Sequence, residues 1–484
     1  MEKIFTKKAI INLAFAVLIL QGCKTSKISR SPENLQIPES FESTQEEAEN
    51  SVALLHWEEF FEDDILKNLI CIALENNQDN LKTLERIKIA RANYRIAKAG
   101  WLPEISGIAG ASERRFSEFT MDGVGNADAN LSPNVPEDKR IPDPYLDFIV
   151  GAGFNWELDV WGKYKNLRKA ASARYLASEE MANHVKTWLI SEIAVGYYRL
   201  IGLDEEIRIL EEYIGLQESA FDLSKDLKTS GKENQLAVDQ FEALLLNSKS
   251  LFVEKQMELR STELYLTSLL GIYQLDHKRT SLEDALEIPE LIRVGLPSEL
   301  LVYRPDIRIA ERELLASHAD VKAARAAFFP SFNLFGMAGF NAFDFGKLFF
   351  NPASAVYQFG AGLAAPVFNR NQIKMGFETA NAAQQIAWYD YEQTVLKSYL
   401  EVLDLVNQFE AYQMQVQLKT NEVSVQKRSV DNSNTMFLVG YANYLEVINA
   451  QSRALLAEIE LVELKTQKLQ TNVKLYKALG GGWI

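Results

Sequence analysis

Side chains able to do covalent or metal chemistry are few in this chain, and their spacing assembles no catalytic constellation. The four histidines, His56, His184, His277 and His318, are scattered and lack metal-ligand partners at helical spacing. The terminal Gly480-Gly481-Gly482-Trp483 comes after a helical pattern and opens no further helix, so it is no phosphate loop. The expectation is a passive protein, not an enzyme, with no metal site and no cofactor beyond covalent lipid. Of the two thiols, Cys71 lies inside an apolar helical pattern. Cys23 stands directly behind "LILQG", where a thiol can accept lipid.

The residues before Cys23 support that reading. Lys3, Lys7 and Lys8 precede an apolar run of eleven residues, Ile10 to Leu20. A spanning helix needs roughly 20 apolar residues, so the run is a secretory signal and not a membrane anchor. Its end, Leu20-Gln21-Gly22-Cys23, resembles the bacterial lipobox, in which the Cys thiol receives a diacylglycerol and the new α-amine is acylated. Each buried methylene contributes about 0.8 kcal/mol, so several chains hold the protein to a bilayer durably. Lys24, and not Asp, comes next, which permits sorting to the outer membrane. Between Ser31 and Ser51 there are six Glu and no Lys or Arg, the composition of an extended tether. The net charge of −15 argues against nucleic acid as a partner, since phosphate binding needs a basic surface.

The elements that carry the rest are long helices. All thirteen Pro fall outside 39–102, 145–288 and 367–484. Pro is excluded from helix interiors, and these windows are rich in Ala, Leu, Glu, Lys and Gln. From Leu445 a heptad seam runs through Ile448, Ser452, Leu455, Ile459, Val462, Thr466, Leu469, Val473 and Tyr476. Shifted back by 209 residues, the same seam reads Leu236, Asp239, Ala243, Leu246, Ser250, Val253, Met257, Arg260, Leu264 and Thr267. Identities at this offset include Gly231/Gly440, Leu236/Leu445, Leu246/Leu455, Glu254/Glu463 and Gly271/Gly480, which marks an internal duplication. The landmarks Pro103 and Pro330 are offset by 227. The 18 surplus residues fall in 121–144, rich in Gly, Pro, Asn and Asp, where an exposed loop is expected.

The segments after each of these two prolines alternate like strands. Leu146, Phe148, Val150, Ala152, Phe154, Trp156 and Leu158 share one face, with Asp147, Gly151, Gly153, Asn155 and Glu157 among those on the other. Ser331 to Phe343 and Ser354 to Phe368 alternate less cleanly, and Glu104 to Phe116 is the weakest. Either this is a buried soluble sheet or a membrane wall. Four strands cannot close a barrel in lipid, where unpaired backbone costs several kcal/mol per group. Three chains would pool twelve.

"WEEFFEDDILKNLICIALENN" from Trp57, "GLPSELLVYRPDI" from Gly295, "AARAAFFPSFNL" from Ala323, "VGYANYLEVINAQ" from Val439 and "LYKALGGGW" from Leu475 together resemble the outer-membrane factor lipoproteins of tripartite efflux systems, the TolC/OprM/NodT family. The resemblance spans about Trp57 to Trp483 and implies an α+β membrane protein. In it a long α-helical coiled-coil barrel is fused to a transmembrane β-barrel, four strands per protomer and twelve per homotrimer. The implied layout is signal peptide 1–22, lipidated tether 23–56, helices 57–102, strands and loop 103–160, and helical hairpin 161–271. An inter-repeat linker over 272–297 leads to helix 298–329, strands and loop 330–367, and a second hairpin over 368–484. Helices of about 66 residues, such as Lys163 to Thr229, reach about 100 Å.

The resemblance also implies partners: a periplasmic adaptor protein, an inner-membrane pump and outer-membrane lipid. The adaptor reads a tip made by the two Gly turns, with Gly231, Lys232, Val439, Gly440 and Tyr441 as contact candidates. Relatives place acids facing the pore just past the second turn. Glu446 fits one such position, Asn449 stands where Asp is common, Leu445 is an adjacent apolar candidate, and Asp239 is the nearest acid in the first repeat. The expected function is the exit duct of a pump for drugs or other small molecules. Metal-ion efflux or type I protein secretion is the alternative within the channel class. A structural periplasmic coiled-coil lipoprotein without a pore is the alternative outside it, and the alternating segments argue against that.

Overall fold

The computed structural model describes residue 38, residues 55–275, 279–285, 297–350 and 352–483. The signal segment, Cys23, most of the tether, His277 and much of the 272–297 linker lie outside the described residues. The described helices longer than one turn are α1 (Asp64–Asn76), α2 (Gln78–Ala99), α3 (Met121–Leu131), α4 (Lys163–Thr229), α5 (Gln235–Leu270), α6 (Pro305–Ala326), α7 (Gln372–Leu438) and α8 (Tyr444–Ala478). The strands are β1 (Glu104–Arg114), β2 (Tyr145–Leu158), β3 (Ser331–Ala342) and β4 (Ala355–Ala364). Among the described residues no helix is long and apolar enough to cross a membrane.

The duplication is reproduced element by element. α2 and α6 each have 22 residues, α4 and α7 each 67, and α5 and α8 have 36 and 35. At 1.5 Å per residue, α4 and α7 extend about 100 Å. The surplus of the first repeat falls between β1 and β2, as expected, but it is not all loop. Residues 121–131 form α3, because Thr120 caps Gly123 N–H at 3.2 Å and Asn130 bonds both the N–H and the carbonyl of Ile141 at 2.8 Å. Those local bonds outweigh the two glycines inside the helix.

In the half near the hairpin turns, the helices pack in the order α5–α4–α8–α7. Nearer the strands the order is α2–α4–α6–α7. α4 and α6 approach through small residues, Ala170 and Ala173 against Ala316 and Ala319. Gly202 of α4 allows a similar approach to α8, since a Cβ there would lie 2.3 Å from Thr466 Oγ1. The second-repeat seam packs as expected, with Leu455, Ile459, Val462, Thr466, Leu469, Val473 and Tyr476 all buried. The first-repeat seam does not. Leu236, Leu246, Val253, Met257 and Leu264 are all more than half exposed. α5 is an edge helix that turns Phe241 and Leu245 toward its own chain and leaves its heptad stripe outward. Position in the row, not the sequence pattern, decides which copy of the seam is covered.

The main core lies where the N-terminal segment crosses α4, α5 and α8. Phe60 stacks on Tyr476 at 4.0 Å, and the Tyr476 hydroxyl donates to Leu55 O at 2.6 Å. Tyr197 donates to Asp63 at 2.9 Å. Cys71 of α1 is exposed. Fully buried Glu206 is held by Arg199 at 2.9 Å and Lys255 at 2.6 Å. Arg304, at the start of α6, ties three helices of the second repeat together: it reaches Asp306 at 2.7 Å, Glu401 of α7 at 2.8 Å and Ala478 O of α8 at 2.7 Å. Trp483 Nε1 donates to Tyr303 O at 2.9 Å beside it.

Burial alone would raise the Asp306 carboxyl, but the hydrogen bonds and charge of Arg304 outweigh it and hold the group below its ordinary range. A carboxylate depressed in the folded state contributes stability above its unfolded pKa and loses it as pH falls through the folded one. Arg304→Met should therefore lower the thermal midpoint in detergent, toward the low end of the ~3–5 kcal/mol typical of a broken buried pair because Asp306 and Glu401 are partly exposed. It should also shrink the loss of midpoint between about pH 6 and about pH 3. Equal acid sensitivity in both proteins would contradict this role.

Candidate functional site

The two features with functional geometry are the strand wall and the tip. The sheet is antiparallel in the order β1-β2-β3-β4. In the register, Glu104, Ser106 and Ser112 of β1 stand opposite Asn155, Gly153 and Asp147 of β2. Glu157 and Ile149 of β2 stand opposite Asn333 and Asn341 of β3, and Met337 opposite Gln358 of β4. This face is mostly polar or glycine. Asn341 donates to Asp147 at 2.6 Å across it, and Glu157 accepts from Lys163 at 3.0 Å and Tyr164 at 2.9 Å. The opposite face carries Ile105, Ala109, Val150, Phe154, Leu334, Tyr357, Phe359 and Leu363, with charge only at its margin in Glu113. Aromatic residues mark both ends. Trp156 and Trp161 donate to Trp101 O and Pro330 O at the helix end, and the ring pairs Phe116–Tyr145 and Phe340–Phe349 lie at the loop end. One apolar face, one polar face and aromatic girdles make a membrane barrel wall.

That wall is open at both sides. Every residue of β1 is exposed, and most of β4 is. The helices continue the two edges. The α5 stripe lies on the side of β1 and α2. On the side of β4, α7 exposes Tyr389, Leu396, Leu400, Met414, Leu418 and Val425, again at heptad spacing. This second stripe falls outside the two seams that the duplication points to. Its signal in the sequence is alternation with the buried row Gln384, Trp388, Tyr391, Val395, Ser398 and Val402 on the same helix.

At the far end each long helix closes the same way. Gly231 has φ +74° and Gly440 φ +80°, a left-handed conformation that side chains with a Cβ resist. Lys232 N–H donates to Leu227 O at 2.9 Å and Tyr441 N–H to Met436 O at 2.8 Å, so the two turns are superposable Schellman closures. Asn234 and Asn443 then cap α5 and α8. Val439 and Tyr441 project into solvent, at 63% and 83% exposed.

The caps differ in one respect. Glu446 completes a capping box, its carboxylate accepting Asn443 N–H at 2.8 Å while Asn443 Oδ1 accepts Leu445 N–H at 3.0 Å and Glu446 N–H at 3.2 Å. The matching first-repeat position is Ala237, which is buried. Leu445 is half exposed, and Asn449 lies one turn above Glu446 on the same exposed row. Arg453 stands on that row one turn further on, a cation that attention to acids alone passes over. Asp239 accepts from Gln235 Nε2 at 2.6 Å in the first turn of α5. The structure thus brings Leu445, Glu446 and Asn449 to the tip of one hairpin and Asp239 to the tip of the other.

Residues 69–272 and 296–481 match the family model described as outer membrane efflux protein. The cation efflux system protein CusC of Escherichia coli O6:H1 is 30% identical over 97% of this chain and 98% of that relative. The toluene efflux pump outer membrane protein TtgI of Pseudomonas putida is 28% identical over 97% of each. A crystal structure of CusC, concerned with its folding and transmembrane channel formation, aligns with TM-score 0.79 at 27% identity, covering 92% of this chain and 97% of that one.

The capping box separates two roles of Glu446. Glu446→Ala should accelerate amide hydrogen exchange over residues 443–448, reflecting ~0.5–2 kcal/mol lost from the cap. Glu446→Gln should keep protection near wild type, because an amide oxygen can accept the same N–H. Equal protection in all three proteins would show that the box contributes nothing at the tip.

Proposed function

The chain belongs to the outer membrane efflux protein family, and from that premise we propose that three copies of it close into one exit duct. It is an outer-membrane efflux channel with a long periplasmic helical extension. The observation that supports a trimer is the matched pair of open sides. β1, α2 and α5 form one, and β4 and α7 form the other, each with unpaired strand groups or an exposed heptad stripe. One side of a copy meets the other side of the next, a heterologous contact that closes as a ring. Three copies give twelve strands, within the range of closed membrane barrels.

The tip turns are the surface offered to a periplasmic adaptor, through Gly231, Lys232, Val439, Gly440 and Tyr441. An inner-membrane pump supplies the energy. Repeated three times about an axis, Glu446 and Asp239 form acidic rings, with Leu445 as an apolar ring and Asn449 as a neutral one. Converging like charges repel and favour cations in transit. Lipid on Cys23 anchors the chain to the outer membrane. The duct carries small molecules, as TtgI does toluene. The nearly equal similarity to CusC, a cation efflux protein, supports metal ions as the second reading. A strain lacking the gene, tested for solvent and cation susceptibility, separates the two.

The double variant Val253→Glu/Met257→Glu puts charges on the α5 stripe without touching the chain's own core. Native mass spectrometry in detergent should show trimers for wild type and mainly monomers for the variant. Trimers of undiminished stability would refute the edge pairing. In planar bilayers, Glu446→Gln should reduce cation preference while the cap stays closed. Unaltered selectivity would remove Glu446 from the pore.

A further inference from the structure

The helix segments that meet the strand wall share one feature of charge. Residues 91–103, 163–178, 321–330 and 365–377 adjoin β1, β2, β3 and β4, and together they hold twelve Lys and Arg and no Asp or Glu. The whole chain carries 66 acids against 51 bases, so this excess of bases runs against the composition. Asp159, between β2 and α4, spends its carboxylate on the N–H groups of Tyr164 and Lys165. α4 and α6 pair through Ala170, Ala173, Ala316 and Ala319, and a groove lies on each side of that pair. In one groove Arg174 reaches Asp320 at 2.5 Å and Glu313 at 3.6 Å, so acids and cation offset each other. The other groove, of about 430 Å³, is lined by Lys169 of α4 and by Arg312 and Lys322 of α6, and no carboxylate lines it. None of these three bases has an ion-pair partner among the described residues. Lys169 and Lys322 are exposed and Arg312 is half-buried, so all three are open to a ligand.

Helical register places this basic groove on the lipid side. Lys163 and Tyr164 both reach Glu157, which stands on the polar face of the wall. At about 100° per residue, Lys169 lies about 120° from Lys163 and about 140° from Tyr164, on the side of α4 turned away from that face. Lys169 and Lys322 sit about 9 and 12 Å along their helices from Lys163 and Pro330, where the helices meet the wall. Trp156 and Trp161 mark that margin, and long lysine stems carry their charge up toward it. α4 and α6 are the inner members of the row α2–α4–α6–α7, so the groove belongs to neither open side. We propose that it holds the phosphate headgroup of an anionic phospholipid from the leaflet facing the helices, with Lys169 and Lys322 on the phosphate and Arg312 beneath them. A zwitterionic headgroup brings its own ammonium to the same bases and gains less. The site rests on the wall lying in lipid, and it does not depend on how many copies assemble.

The probe is phosphatidylglycerol labelled on its tail, with phosphatidylcholine labelled alike as comparator, titrated with the purified protein in detergent and read by fluorescence anisotropy. Wild type should prefer phosphatidylglycerol. Each base near an anionic headgroup strengthens binding about fivefold, so Lys169→Gln/Lys322→Gln should weaken phosphatidylglycerol about thirtyfold and leave phosphatidylcholine within about threefold. Lys169→Arg/Lys322→Arg should restore the preference. Lys397→Gln/Arg428→Gln removes the same charge from exposed positions lower on α7 and should leave it intact. Inorganic phosphate at constant ionic strength should not displace the lipid. Equal affinity for the two lipids in wild type, equal losses in the two Gln pairs, or displacement by phosphate, which would assign the groove to a solute anion, overturns the proposal. Flotation of wild type with phosphatidylcholine liposomes tests the wall separately: flotation without lipid preference sinks this site alone, and failure to float sinks the premise with it.

Discussion

A β-strand in lipid cannot end in an unpaired edge. Water is absent there, and each bare N–H or carbonyl costs several kcal/mol. The described residues hold four strands with an apolar face and two bare edges, which is too little wall to close on itself. Every larger feature accommodates that limit. In the proposed duct the strands are completed by other copies, and the helices joined to them stand side by side in the same order around the same axis.

The helical extension meets that demand by repetition. Because the second repeat copies the first, each chain presents two near-equivalent hairpins, and the proposed ring of copies approaches a higher symmetry than its number of chains. The equivalence is not complete. The first repeat carries α3 and the longer outer loop, and the second carries the capping box at Glu446. The seam of the second repeat is satisfied within the chain, at Leu455 to Tyr476, while its counterpart on α5 is left exposed. Arg304 joins α6, α7 and α8, and the N-terminal segment crosses over Tyr197 of α4 and Tyr476 of α8.

Much of this architecture is legible in residues alone. Helix ends, the 209-residue and 227-residue offsets and the alternation of β2 are local properties, written in Pro, Gly and hydrophobic period. β1 is faint because Gly107, Gly110 and Ser112 dilute the pattern, and its ladder to β2 specifies it instead. α3 has the composition of a loop because its stabilising bonds join Asn130 to Ile141, eleven residues apart. The exposure of the α5 seam is hidden in the sequence because a heptad states that a helix has a partner, not which chain supplies it. The tip turns stand where their glycines mark them. The Asn443-x-x-Glu446 spacing that writes the capping box is legible in the sequence, but a search for pore acids passes over it.

A shared barrel requires β1 to pair with β4 of the next copy. Disulfide cross-linking tests that pairing most directly: Ala109→Cys on β1, combined in one chain with single cysteines scanned along residues 356–363 of β4, in a background with Cys71 replaced by Ser. The expected result is one or two positions at which oxidation in membranes yields covalent trimers and no larger species. Cross-links confined within single chains, or none at any position, would contradict it.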